Sequence, residues 1–314
     1  MIQVENLIKH YGPVKAVNGI DFQVHDGEIL GMLGANGAGK STTLKVMTGY
    51  LSPTGGNVHV NELNIQDHSL EIRRQIGYLP ELNPLYLDMR VYDLLEFTAR
   101  VRQIEGKAFK KALARVVELC GLSGVIHKQV AACSKGYKQR IGLASAIIHD
   151  PAILILDEPV SGLDPNQIRE IRGLIKELGR EKMVVISSHI LQEIEATVDR
   201  IIIIDGGKIV ADGTSDELMA SFHGKTHLTL EVKHASDESI RELNAGIAAL
   251  TITDINAVNG SHVIQLEYEK KDDPREAIFM HALAAKWTIL EMSPSRVQLE
   301  DVFRNLTVKG ASDE

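Results

Sequence analysis

Apolar positions along the chain follow two rhythms. Short, largely apolar runs at Glu28 to Leu33, Ile153 to Leu156 and Met183 to Ser188 predict buried strands. Ile2 to Tyr11 and Ile20 to Val24 predict two strands ahead of them, with Asp26-Gly27 as a turn. Asn57 to Val60 alternates as a short strand, and Ile76 to Pro80 reads as one that stops at proline. Arg200 to Asp205 and Lys208 to Ala211 read as a hairpin across Gly206-Gly207. Between these runs the period lengthens to that of helices. Thr42 to Thr48 predicts one, Val91 to Arg102 a second, and Ala108 to Leu119 a third. A fourth runs through Ile141, Leu143, Ala144, Ile147 and Ile148, and Thr214 to Ser221 closes the series. Strands interleaved with helices predict an α/β core over residues 1–222, with a helical insertion at about 82–150.

After Gly224 the pattern changes. Leu228, Leu230 and Val232 alternate as a strand; 236–250 reads as a helix, 251–258 and 262–268 as strands, 274–285 as a helix and 287–292 as a strand. A last helix is expected over 299–306. The order β-α-β-β-α-β predicts a small ferredoxin-like α+β domain over 223–314. It carries no catalytic constellation and reads as a packing or dimer-contact appendage. The charged residues Asp237-Glu238 and Lys270 to Asp273 read as solvated turns.

Composition narrows the function. The chain has 314 residues, 44% of them apolar and 24% charged, ordinary for a globular protein. Aromatics make up 4% and the net charge is −8, so no nucleic-acid partner is expected. The start, Met1-Ile2-Gln3-Val4, lacks the order of a signal peptide, and no apolar run is long enough to span a bilayer. The expectation is a soluble chain that reaches a membrane only by docking on another protein. Two cysteines, Cys120 and Cys133, suit a reducing compartment.

The candidate chemistry lies in the loops. Gly34 to Thr42 reads G-A-N-G-A-G-K-S-T and fits the phosphate-loop pattern at Gly34, Gly39, Lys40 and Ser41. The loop backbone from Asn36 through Gly37, Ala38 and Gly39 to Thr42 would cradle phosphate at a helix N-terminus. Lys40 would reach the β- and γ-phosphates, and the Ser41 hydroxyl would ligate Mg²⁺. The strand at 153–156 ends in Asp157-Glu158; Asp157 suits Mg²⁺, and Glu158 could activate a water. His189 ends the strand at 183–188, although a lone histidine is more often structural. Tyr11, at the end of the first strand, could stack on a base, although a lone strand tyrosine is more often half-buried packing. Ser134, with Gly136 behind it, starts a helix; by itself this pair is an ordinary cap.

In this order the pieces resemble the ATP-binding subunit of an ABC transporter. The resemblance covers about residues 1–222 and implies a P-loop NTPase core with ATP and Mg²⁺ as ligands. It implies Asp157-Glu158 as the acidic strand end, Ser161 to Asp164 as the family's S-x-L-D loop and His189 as the switch histidine. Tyr11 takes the position of the adenine-stacking aromatic. Cys133-Ser134-Lys135-Gly136-Tyr137 takes the place of the L-S-G-G-Q signature, keeping Ser134 and Gly136. Glu81 stands where a glutamine is expected and still offers oxygen to Mg²⁺. The stretches I-G-Y-L-P-E-L-N-P-L-Y and S-K-G-Y-K-Q-R resemble the gliding-motility and multidrug-export branch. The resemblance implies a pair of cassettes, most simply a homodimer, with an integral-membrane permease at the cytoplasmic face of the cell membrane. The alternative is a soluble ABC ATPase switching a ribosome or DNA partner; such relatives carry two cassettes or long coiled coils, and this chain has neither. A nucleotide-binding module without activity is a third reading, disfavoured by the two carboxylates and the histidine.

Overall fold

The computed structural model describes residues 1–221, 225–247, 250–258, 260–269, 273–295, 299, 300 and 303. They form two compact units, which divide between Ser215 and Asp216.

The first unit holds two sheets. Strands β1 (Ile2–Tyr11), β2 (Val14–Val24), β4 (Gly55–Val60) and β5 (Leu63–Asn64) form an antiparallel sheet in the order β2-β1-β4-β5. The second sheet is built from β3 (Ile29–Leu33), β6 (Ile76–Leu79), β7 (Ile153–Asp157), β8 (Met183–Ser188), β9 (Arg200–Asp205) and β10 (Lys208–Gly213), in the order β10-β9-β3-β8-β7-β6. All its neighbours are parallel except β10, which returns antiparallel on β9. Every residue of β3, β7 and β8 is buried, which is why their sequences run apolar without alternation. One aliphatic core joins the two sheets through Val4, Val58, Met32, Ile155 and Ile202, with Leu44 and Met47 of α1 (Lys40–Met47) between them.

Because the strands are parallel, the carboxyl ends of β3, β6, β7 and β8 share one edge. Gly34, Glu81, Glu158 and His189 all follow those ends, the edge where open α/β sheets hold ligands. The helices around the sheet include α2 (Ser69–Gln75), α6 (Pro165–Gly179) and α7 (Leu191–Glu195). Between β6 and β7 lies the insertion: α3 (Val91–Val101), α4 (Gly106–Leu119), a 3₁₀ turn at Val130–Ala132 and α5 (Lys135–Ile147). Leu94 and Leu95 of α3, Val116 of α4 and Ile141 and Leu143 of α5 are buried in it. The loop after β6 lies close on α5: Asn83 donates to the Lys138 carbonyl at 2.8 Å, and a Cβ at Gly142 would strike the Asn83 amide.

Several boundaries and elements differ from expectation. Strand β2 begins at Val14 rather than Ile20, because β1 pairs with it down to the Tyr11–Val14 turn despite its polar residues. Helix α1 begins at Lys40, directly after the loop. Helix α6 was not expected, yet Asp164 caps it by accepting from Asn166 and Gln167, and Pro165 supplies the first-turn proline. Helices α2 and α7 are short and were likewise unforeseen.

Helix α8 (Ser215–Ser221) leads the chain into the second unit. There β11 (Lys225–Lys233), β12 (Leu250–Val258), β13 (Ser261–Glu269) and β14 (Thr288–Ser295) form a wholly antiparallel sheet in the order β12-β13-β11-β14. Helices α9 (Asp237–Gly246) and α10 (Arg275–Ala284) complete the β-α-β-β-α-β order of a split βαβ fold. Leu228, Leu230, Val232, Ile240, Leu243 and Ile278 form its core. Helix α9 stops four residues earlier than expected, since Leu250 already belongs to β12 (250 − 246 = 4). Trp287 precedes β14 and enters the core, its indole N–H donating to Ser239 Oγ at 3.1 Å. Of the expected last helix, Leu299, Glu300 and Phe303 are helical; the remainder, like residues 270–272, lies outside the described residues.

Candidate functional site

The motif from Gly34 to Thr42 runs from the end of β3 into the first turn of α1 and is locked from below. A Cβ at Gly34 would stand 2.3 Å from the Ile204 carbonyl, and one at Gly39 would stand 2.4 Å from that of Ala16. Gly39 also has a φ of 113°, so both its space and its backbone demand glycine. The Gly207 N–H donates to the Ala38 carbonyl at 3.0 Å, tying the loop to the β9–β10 turn. Asn36 and Gly37 are exposed on the outer side of the loop. The α1 N-terminus has no side-chain cap and no acidic residue in its first turn, leaving its N–H groups available to an anion.

Lys40 is buried at 5% exposure, and Nζ donates to the carbonyls of Gly34 at 2.8 Å and Ala35 at 3.2 Å. It also stands 3.7 Å from Glu158 Oε1. Glu158, 6% exposed, takes a 2.9 Å bond on its other oxygen from Nδ1 of the exposed His189. A carboxylate partner places the proton on Nδ1 and leaves Nε2 available. Burial raises the Glu158 pKa above the ordinary glutamate value, opposed by the His189 hydrogen bond and the charges of His189 and Lys40. A Glu158 φ of 50° puts this residue in the left-handed region.

Beside it, Asp157 is 1% exposed. Its Oδ1 accepts from Ser41 Oγ at 3.0 Å and from Ser187 Oγ at 2.6 Å. Its Oδ2 is buried and has no hydrogen-bond partner. The structure therefore gathers Lys40, Ser41, Asp157, Glu158 and His189, drawn from the ends of β7 and β8 and the start of α1, into one polar cluster. Ser187 belongs to that cluster too and is absent from the sequence-based set. Its signal was a hydroxyl residue at a strand end, overshadowed by the neighbouring histidine.

The remaining candidates lie outside the cluster. Tyr11 is 47% exposed, with Lys9 Nζ 5.5 Å from its ring centroid; its hairpin returns through Ala16, against which Gly39 packs. Ser134 caps α5 by accepting from the Tyr137 N–H at 3.3 Å. Gly136 is buried under the Gln167 amide, where a Cβ would stand 2.5 Å away. Among the described residues, no hydrogen bond or ion pair joins Ser134 or Gly136 to the phosphate loop. The start of α5 instead meets the segment after Glu158: Gln139 donates to the Pro159 carbonyl at 2.8 Å, and Lys135 Nζ lies against Gly162.

Glu81 is exposed, at the mouth of a cavity of about 640 Å³ between the sheet edge and the helical insertion. Asp157 and Tyr78 line the same cavity, and the buried Tyr78 hydroxyl has no hydrogen-bond partner. Burial, and secondarily the charge of Asp157, raises the Tyr78 pKa. No hydrogen bond or ion pair among the described residues joins Glu81 to Ser41 or Asp157. Both cysteines are free and buried, and burial pushes the Cys120 thiol up to about 12. No helix among the described residues is long and apolar enough to cross a membrane.

Comparison with known proteins agrees with this geometry. The family model described as ABC transporter matches residues 17–161. The linearmycin resistance ATP-binding protein LnrL of Bacillus subtilis (strain 168) is 31% identical across 100% of both chains. The bacitracin transport ATP-binding protein BcrA of Bacillus licheniformis is 40% identical over 69% of this chain and 71% of its own. A solved ATP binding subunit of an ABC transporter superposes with a TM-score of 0.65, at 29% identity, over 71% of this chain and 93% of its own. A phosphate loop facing an acidic strand end, in a chain related to LnrL over its whole length, leads to one conclusion: this chain belongs to the ATP-binding subunits of ABC transporters and is an ATPase.

Proposed function

We propose that the chain powers an exporter from the cytoplasmic face of a membrane, and that ATP and Mg²⁺ bind at the cluster around Lys40. The observation that carries the site is the meeting of Lys40, Ser41 and Asp157-Glu158 at one sheet edge. Residues 1–222 form the ATP-binding region in this reading, and 223–314 an accessory domain. The loop N–H groups from Asn36 to Thr42 and the Lys40 ammonium hold the phosphates, and Tyr11 stacks on adenine.

The donor set fits Mg²⁺, a hard cation that takes few protein oxygens and keeps phosphate and water ligands. Ser41 offers a hydroxyl, and Asp157 Oδ2 is a buried carboxylate oxygen without a partner. Glu81 is the third candidate ligand, from the cavity mouth. When bound, Mg²⁺ would neutralise phosphate charge. Glu158 takes the proton of the attacking water, and its raised pKa makes it a stronger base than a solvated glutamate. His189 orients Glu158 through Nδ1–H and, as the imidazolium, would donate Nε2–H to the γ-phosphate.

The working unit is a pair of cassettes. Ser134 and Gly136 make no bond to their own phosphate loop, so a second copy would present that helix N-terminus across an interface. Export is supported by relatives named for linearmycin resistance and bacitracin transport. A membrane partner is supported by the cavity mouth, where Leu82 is 86%, Tyr86 58% and Phe97 45% exposed. Exposed apolar residues grouped around a cavity suit a protein contact.

The test is purification of the tagged chain from detergent-solubilised membranes, followed by reconstitution of what comes with it into vesicles. A multi-span membrane protein, with ATP-dependent export by the reconstituted pair, is expected. Recovery of the chain only in the soluble fraction, bound to ribosomes or DNA, would overturn the reading.

A further inference from the structure

Ser187 has 0% exposure, at a position where the surrounding strand is aliphatic. The parallel register of β7 and β8 sets it directly opposite Asp157. Its single hydroxyl makes two bonds of opposite sense. It donates to Asp157 Oδ1 at 2.6 Å and accepts the Glu158 backbone N–H at 3.0 Å. The first bond leaves Asp157 with one oxygen held by two hydroxyls and the other, Oδ2, with none. Anchoring one oxygen of a planar carboxylate fixes the direction of the second. The other bond holds the peptide that enters Glu158, whose φ of 50° is not one a glutamate adopts unaided.

We infer that Ser187 is a positioning residue for both carboxylates, aiming Asp157 Oδ2 at the metal and fixing the backbone from which Glu158 reaches its water. This rests on the Mg²⁺ assignment proposed above. Ser41 is the other donor to Oδ1, but as a metal ligand its orientation is also set by the cation, whereas Ser187 bonds protein groups alone. Ser187 then keeps the carboxylate oriented when the site is loaded. Outer-shell partners of metal ligands characteristically change metal affinity by about 10- to 100-fold when removed.

A buried serine that merely satisfies itself in a strand would make the same bonds, so the test must separate the hydroxyl from its packing. Ser187→Thr and Ser187→Val add nearly the same volume at this site, and only threonine keeps the hydroxyl. Mn²⁺ serves as a spectroscopic probe, titrated by electron paramagnetic resonance into protein with ADP, where no turnover occurs. Ser187→Val is expected to weaken Mn²⁺ binding about 10-fold, with Ser187→Thr within about 3-fold of the parent. ADP affinity in chelator should be the same in all three. The Mg²⁺ concentration for half-maximal ATPase activity should rise in parallel. If valine prevents folding, Ser187→Ala replaces it, with thermal melting as the folding control. A metal-dependent parent whose Ser187→Val and Ser187→Thr forms bind Mn²⁺ equally would overturn the role of Ser187 alone. A parent whose ADP complex takes up no Mn²⁺ would overturn the metal assignment and this inference with it.

Discussion

Glu158→Gln separates binding from chemistry, and the structure sets the expected size of each effect. The substitution keeps shape and hydrogen bonding but removes the charge 3.7 Å from Lys40 Nζ. At that distance, with an effective dielectric of 20, the attraction is about 4 kcal/mol before solvation is counted. Most of it is offset, because Lys40 also bonds two loop carbonyls and both charges lose hydration. A residue of about 1 kcal/mol is left, and it works against nucleotide: Glu158 competes with phosphate for Lys40 and repels it. Glu158→Gln should therefore bind ATP·Mg²⁺ at least as tightly as the parent, by up to about 5-fold. Hydrolysis should fall at least ~100-fold, about 2.7 kcal/mol in the barrier, as loss of a positioned base implies. Calorimetric titration gives the first number and single-turnover phosphate release the second. The pH profile adds a signature. The base must be ionised and burial raises its pKa, so the parental rate should fall with decreasing pH above the ordinary glutamate value. Glu158→Gln should lack that limb. Phosphate release at the parental rate in Glu158→Gln would refute the assignment of Glu158.

The remaining predictions probe the metal, the dimer and the fold. Glu81→Ala should raise the Mg²⁺ needed for half-maximal ATPase activity, and Glu81→Gln should be tolerated because an amide oxygen still coordinates; an unchanged requirement in Glu81→Ala removes Glu81 from the site. In a Glu158→Gln background, ATP·Mg²⁺ should shift sedimentation towards dimer, and Ser134→Arg should abolish the shift. A Glu158→Gln chain that stays monomeric at saturating ATP counts against self-pairing. His149 is held neutral by burial and by the charge of Arg102, which lower its pKa from 6.5 to about 4. The unfolded chain takes up this proton first, so stability is full above pH 6.5 and is lost as pH falls towards 4. The full shift corresponds to about 3 kcal/mol, and partial exposure reduces it to about 1–2 kcal/mol. Urea unfolding at pH 7 and 4.5 should show that much less loss in His149→Gln than in the parent; equal losses would contradict the burial argument.

The sequence alone determined the main strands of the α/β core, the helices of its insertion, the phosphate loop and the acidic strand end. Those features are local. Buried strands write themselves as apolar runs, helix faces as a 3.6-residue period, and the anion site as glycines before a lysine and a helix start. The cap of α6 was equally local: Asp164-Pro165 is a readable start, and the helix was there to be found. Other features had no local trace. Gly34 and Gly39 must be glycine because the carbonyls of Ile204 and Ala16, distant in the chain, press against them. Strand β2 extends back to Val14 because β1 offers it partners. Helix α9 gives way early because β13 claims Leu250, through Tyr268, for the sheet. Ser187 looks like any polar strand end until the β7–β8 register brings it opposite Asp157. Register is fixed by burying both faces of the central strands, a long-range cooperative choice that no window of neighbouring residues encodes. Sequence thus named the groups able to do the chemistry; strand register and close packing decided which of them meet.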